Sequence, residues 1–98
     1  NNTKLQLRMV SKWEKKYDKY DSFHICFGNI CISEKLWGKA KDHLFEAVKI
    51  RPSVDAFVSL ARVYELTGES EEANKFLKKA AKLFSEQHNH IELTKLTN

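Results

Sequence analysis

The feature of this 98-residue chain that most constrains its fold is an internal offset of 33. Phe27 and Leu60, Gly28 and Ala61, Cys31 and Tyr64, Ala40 and Ala73, Leu44 and Leu77, and Ala47 and Ala80 all pair at that one spacing. Self-similarity at a fixed period of this size means stacked supersecondary units, none of which can bury its own apolar face alone. Side-chain size repeats along with spacing. Small residues recur where two helices must approach closely, and large ones recur where the remaining gaps must be filled.

Hydrophobic periodicity assigns these units to helices, and alternating strand patterns are missing. Over residues 4–17, Met9, Val10, Trp13 and Tyr17 share one face, opposite Arg8, Lys12, Lys15 and Lys19. This predicts an amphipathic helix with one side to bury. Residues 22–33 are apolar almost all round, so the next helix needs cover on more than one side. Ser33-Glu34-Lys35 reads as a break, after which Leu36, Ala40, Leu44, Ala47 and Val48 form a stripe that must end before Pro52. Ser53 suits an N-cap, and Phe57, Leu60, Ala61 and Tyr64 mark the helix behind it. Gly68 suits a left-handed stop, and Ser70-Glu71-Glu72 reads as a cap with acids in the first turn. The last long helix carries Ala73, Phe76, Leu77, Ala80, Ala81 and Phe84. Its pattern weakens at Gln87-His88-Asn89-His90, leaving Ile91, Leu93 and Leu96 to a short closing turn or a frayed tail.

The large–small–large order of Phe27-Gly28…Cys31, followed by Ala40…Leu44…Ala47…Pro52, resembles the tetratricopeptide repeat. That resemblance implies an all-α fold of antiparallel helix-turn-helix repeats stacked in a right-handed superhelix. Residues 1–20 would hold the second helix of a truncated upstream repeat, 21–53 and 54–87 two full repeats, and 88–98 a C-terminal tail or short capping helix. His24 departs from the family pattern, which has an aromatic there, and no Pro follows Phe84. Leu36-Trp37-Gly38-Lys39-Ala40-Lys41, Arg51-Pro52-Ser53 and Leu60-Ala61-Arg62 are also similar to the C-terminal repeat region of the HemY-like family of bacterial inner-membrane proteins. This narrower likeness implies a membrane-anchored accessory factor linked to haem biosynthesis. It also implies that the fragment itself is a soluble domain, with the cytoplasmic side of the membrane favoured. The missing initiator Met fits a fragment of a longer chain.

Composition bounds what such a domain can do. The formal charge of +4 is carried by residues 1–20, which hold six bases against two acids, while the remaining residues hold eleven of each. A basic balance confined to one helix does not describe a general nucleic-acid surface, and no nucleic-acid partner is expected. No apolar run reaches the ~18 residues of a membrane span. Two cysteines, Cys26 and Cys31, cannot staple a secreted scaffold.

No constellation of catalytic residues stands out, and neither enzymatic activity nor a cofactor is expected. His24, Cys26, Cys31 and His43 include zinc-type donors, but residues 24 and 26 point to opposite sides of a helix. Cys31 takes the core position matched to Tyr64, and the thiolate chemistry of a nucleophile needs an accessible, polarised site. His88-Asn89-His90 reads as a polar helix end, Glu71-Glu72 as a helix start, and no Gly-rich phosphate loop is present.

Binding surfaces are the better candidates. In the repeat register the inner faces of the first helices carry Ile25, Asn29 and Ile32, then Val58, Arg62 and Glu65. Three apolar side chains open to water and flanked by polar ones suit capture of a protein segment. The stripe Arg8, Lys12, Lys15, Lys16 and Lys19 offers a second surface, for anionic membrane or an acidic protein. Stacking of an exposed repeat end on a second copy is a third possibility.

Overall fold

The computed structural model describes Arg8 and residues 12–97, with side chains followed as far as Asn89. Residues 12–17 are helical (α1), followed by α2 (Asp21–Ser33), α3 (Trp37–Ile50), α4 (Val54–Leu66) and α5 (Ser70–Thr97). Among the described residues there is no strand. Three-residue turns separate α2 from α3 and α4 from α5, so each pair runs antiparallel as a hairpin. α2 packs along α3 and α4 along α5, while α3 and α2 both touch α4.

The two hairpin turns are built alike. In the first, the Leu36 amide donates to the Cys31 carbonyl at 2.8 Å and the Lys35 amide to Ile32 at 3.0 Å. In the second, 33 residues on, Glu69 donates to Tyr64 at 2.8 Å and Gly68 to Glu65 at 3.1 Å. Both are Schellman stops, with the left-handed residue at Lys35 (φ 59°) and at Gly68 (φ 80°). The same residue that closes one helix opens the next. The carbonyls of Leu36 and Glu69 accept from Ala40 and Ala73, the first bonds of α3 and α5. α5 therefore begins at Ser70, one residue earlier than a Ser70 cap would allow, with Glu69 in the cap position.

The connection between the hairpins is different. Arg51 is extended ahead of Pro52, and the Ser53 hydroxyl accepts from the Ala56 amide at 3.1 Å to start α4. Arg51 also reaches back to Asp21 at 3.2 Å, joining the end of α3 to the start of α2.

One apolar cluster fills the space between the hairpins, with Phe27, Cys31, Ile32, Leu44, Leu60, Val63, Ala73 and Phe76 among its members. Close approach within the first hairpin is set by Gly28. A Cβ there would stand 2.7 Å from Leu44 Cγ and 2.9 Å from its Cδ2. As its apolar composition requires, α2 is covered on several sides. α3 and α4 flank it, and the Tyr17 and Phe23 rings meet at 6.1 Å where α1 adjoins it.

Two features depart from the sequence reading. α5 is a single helix through Thr97, so residues 88–97 continue it rather than forming a separate turn or cap. The apolar seam of α1 is also shallow. Trp13 remains 46% exposed, while Met9 and Val10 lie outside the described residues.

The paired turns yield a direct test. A non-glycine residue in the left-handed region costs about 1–2 kcal/mol, part of which glycine returns through the entropy of the unfolded chain. Lys35→Gly should therefore raise the unfolding free energy by about 0.5–1 kcal/mol, and Gly68→Ala should lower it by about 1 kcal/mol, in urea titrations followed by circular dichroism. Equal and opposite effects at two sites 33 residues apart would tie both to the same backbone geometry.

Candidate binding surfaces

The six groove residues fall into two groups. Val58, Arg62 and Glu65 lie exposed on α4, with Val58 open over 45% of its surface. Ile25 and Asn29 are half-buried on α2. Ile32 does not belong with them. It is only 3% exposed and joins the core cluster, whose members come from all four longer helices. Its counterpart Glu65 has no such cover. The same difference separates Leu44, fully buried, from Leu77, 46% exposed. What remains of the predicted groove is a mixed face of Ile25, Asn29, Val58, Arg62 and Glu65 on two helices in contact.

The basic stripe lies where the sequence puts it. Arg8, Lys12, Lys15, Lys16 and Lys19 are all exposed. The Lys16 and Lys19 ammonium groups stand 5.5 Å and 5.6 Å from the Tyr17 and Tyr20 ring centres. These contacts direct part of the charge onto aromatic faces without neutralising it.

Polar contacts between the hairpins gather at the turn ending α4. Lys41 of α3 pairs with Glu69 at 3.2 Å and lies 4.4 Å from the Tyr64 ring centre, and Tyr64 in turn stacks on Phe76 at 5.6 Å. The Thr67 hydroxyl donates to the same Glu69 oxygen at 2.8 Å. That hydroxyl first, and then Lys41, hold the Glu69 carboxyl below the ordinary glutamate range.

A further constellation escapes the sequence reading. His24 and His43, 19 residues apart, lie side by side with their Nδ1 atoms 3.0 Å apart and ring centres 5.3 Å apart. His24 Nε2 is 2.6 Å from the Asp18 carbonyl oxygen. A carbonyl only accepts, so His24 carries its proton on Nε2 and presents a lone pair at Nδ1. His43 Nδ1–H must then be the donor between the rings. His43 Nε2 is left as a lone pair, 3.8 Å from Glu14 Oε1. Burial lowers the His43 pKa below the ordinary value; Glu14 and Asp42 pull it upward, and His24 and Lys39 push it down. The pair forms one wall of an open cleft of about 700 Å³, whose rim carries Glu14, Lys15, Asp18, Lys39, Asp42 and Glu46. One signal in the sequence points this way: at the offset of 33, His24 pairs with Phe57, an aromatic residue that is also buried.

The cysteines separate cleanly. Cys26 is exposed, whereas Cys31 is fully buried, and desolvation raises the Cys31 thiol pKa against the opposing charge of Lys39. Among the described residues, no three His, Cys, Asp or Glu side chains converge closely enough to hold a metal ion, and no helix is long and apolar enough to cross a membrane. No family model matches the chain, and no curated protein matches it significantly.

A thiol assay checks this assignment. With a disulfide reagent at neutral pH, one thiol should react promptly in the folded protein and the second only on addition of denaturant, and Cys26→Ser should remove the prompt reaction. Prompt modification of both would mean that Cys31 is not enclosed.

Proposed function

We propose that this chain is a protein-binding scaffold whose two hairpins are tetratricopeptide-like repeats stacked as a right-handed superhelix. The observation that carries the reading is the contact between α2 and α4. Contact between the first helices of successive hairpins sets their outward faces beside one another, so Ile25, Asn29, Val58, Arg62 and Glu65 contribute to one surface. Repetition of the turn hydrogen bonds at an offset of 33 supports the same reading. Val58 and Ile25 would supply apolar burial, and Arg62 would hold a carboxylate or backbone carbonyl of the bound segment. No residue is assigned a bond-making role. The more specific version, an accessory factor linked to haem biosynthesis in a protein anchored to the bacterial inner membrane, rests on the likeness of Leu36-Trp37-Gly38-Lys39-Ala40-Lys41, Arg51-Pro52-Ser53 and Leu60-Ala61-Arg62, with the Trp13-Glu14-Lys15…Tyr17 segment ahead of them.

A photo-crosslinking side chain at Val58 tests the surface in cells of the source organism. A discrete crosslinked protein is expected at this position and not at Lys75, and Arg62→Glu should abolish it with unfolding almost unchanged. Crosslinking that survives Arg62→Glu removes this face from the reading.

The exposure of every base in the stripe favours a second reading, in which α1 docks on an anionic surface. Each base near such a surface contributes about 1 kcal/mol, and screening weakens the sum as salt rises. Binding to vesicles containing phosphatidylserine should fall steeply between low and high salt and be lost in a Lys12, Lys15, Lys16, Lys19 to Gln variant. Salt-insensitive binding, or none, excludes it.

A further inference from the structure

The His24–His43 pair ties together the first three helices of the chain. His24 stands on α2 and donates to the Asp18 carbonyl at the end of α1, and His43 stands on α3 with its open Nε2 facing Glu14 of α1. We propose that these two histidines form a proton-sensitive clasp, so that acidification releases α1 and its basic stripe from the α2–α3 hairpin. This holds whatever the surfaces bind.

Hydrogen-bond bookkeeping carries most of the case. With α1 docked, both His24 nitrogens are committed, Nε2–H to Asp18 and the Nδ1 lone pair to His43. A proton added to His24 at Nδ1 would point two N–H groups at each other across 3.0 Å. The remaining site is His43 Nε2, which lies inside the cleft. There a charge meets Glu14 and Lys15 from α1, Asp18 from the turn after it, His24 from α2, and Lys39, Asp42 and Glu46 from α3. Glu14, at 3.8 Å, is beyond hydrogen-bond reach and does not outweigh burial. Moving α1 away removes one side of the cleft and exposes His43 further to water.

The sign follows from linkage. The docked form holds the His43 pKa below its ordinary value, so the released form binds protons more readily as pH falls through that range. Proton uptake therefore accompanies release, and docking is strongest above the ordinary histidine pKa. Among the described residues, the contacts that must give way include the Asp18 hydrogen bond, the Tyr17–Phe23 ring contact and the Glu14 approach.

Amide hydrogen exchange on the whole chain tests the clasp. After correction for intrinsic rates, protection of residues 14–20 should fall several-fold between about pH 7.5 and about pH 5.5, while α4 is unchanged over the same interval. His43→Gln keeps a polar amide at this position of α3 but cannot take up a proton, and it should abolish the difference. Glu14→Gln removes an attraction for the charged ring and should preserve or enlarge it. In the wild type, the His43 ring resonances and the α1 amide shifts should titrate with a single shared midpoint, a readout that remains if the variant fails to fold. Protection that is constant or greater at the lower pH, a pH response that survives in folded His43→Gln, or separate midpoints would each overturn the proposal.

Discussion

The structure depends on how closely α2 and α3 can approach. Gly28 leaves room for Leu44, and any side chain there would meet a carbon that is itself fully enclosed. Overpacking of a site like this costs about 1–3 kcal/mol, so the contact selects both the small residue and the large one opposite. Once the two helices are this close, the three-residue turn can close, α3 presents Ala40, Leu44 and Ala47 inward, and α4 has a flat apolar surface to cover. The second hairpin repeats the arrangement with Ala61, Ala73 and Ala80 buried. Small residues at matched positions thus determine helix separation, and separation determines which larger side chains are enclosed.

Helix boundaries are legible in the sequence because each rests on a local cause. Pro52 forces Arg51 into an extended conformation, Ser53 supplies a hydroxyl for an orphan amide, and Gly68 accepts a positive φ without a Cβ clash. Lys35 is harder to read. Nothing in its own chemistry favours the left-handed region, and only its spacing of 33 from Gly68 assigns it to the same turn. The continuation of α5 through 88–97 is similarly obscure, since His88, Asn89 and His90 weaken an apolar pattern without breaking a helix.

The binding surfaces are legible only as far as helical phase determines exposure. Phase places Val58, Arg62 and Glu65 outward, and they are outward. It places Ile32 with them, and there it fails, because Ile32 is enclosed in a cluster that several helices build together. The histidine pair fails to show for the same reason: His24 and His43 meet through hairpin closure, which no local window contains. Cys31 is the opposite case. Its match to Tyr64 already assigns it an interior position, and the interior removes its reactivity.

Duplication also makes the two ends of the molecule unlike. At one end, α1 lies against the first hairpin through a ring contact and a hydrogen-bonded histidine. At the other, Leu77 is exposed where its counterpart Leu44 is fully buried, and Phe84 beyond it is exposed as well. α5 runs antiparallel to α4, and Gln87 lies beside the 51–55 segment where α4 begins. Residues 88–97 therefore extend past the start of α4 by about 15 Å of helix. One end is held by polar contacts whose strength follows protonation, and the other presents apolar area that depends on pH only weakly. A stack built from one repeated hairpin can in this way respond to acidity at α1 while the surface across α2 and α4 keeps its shape.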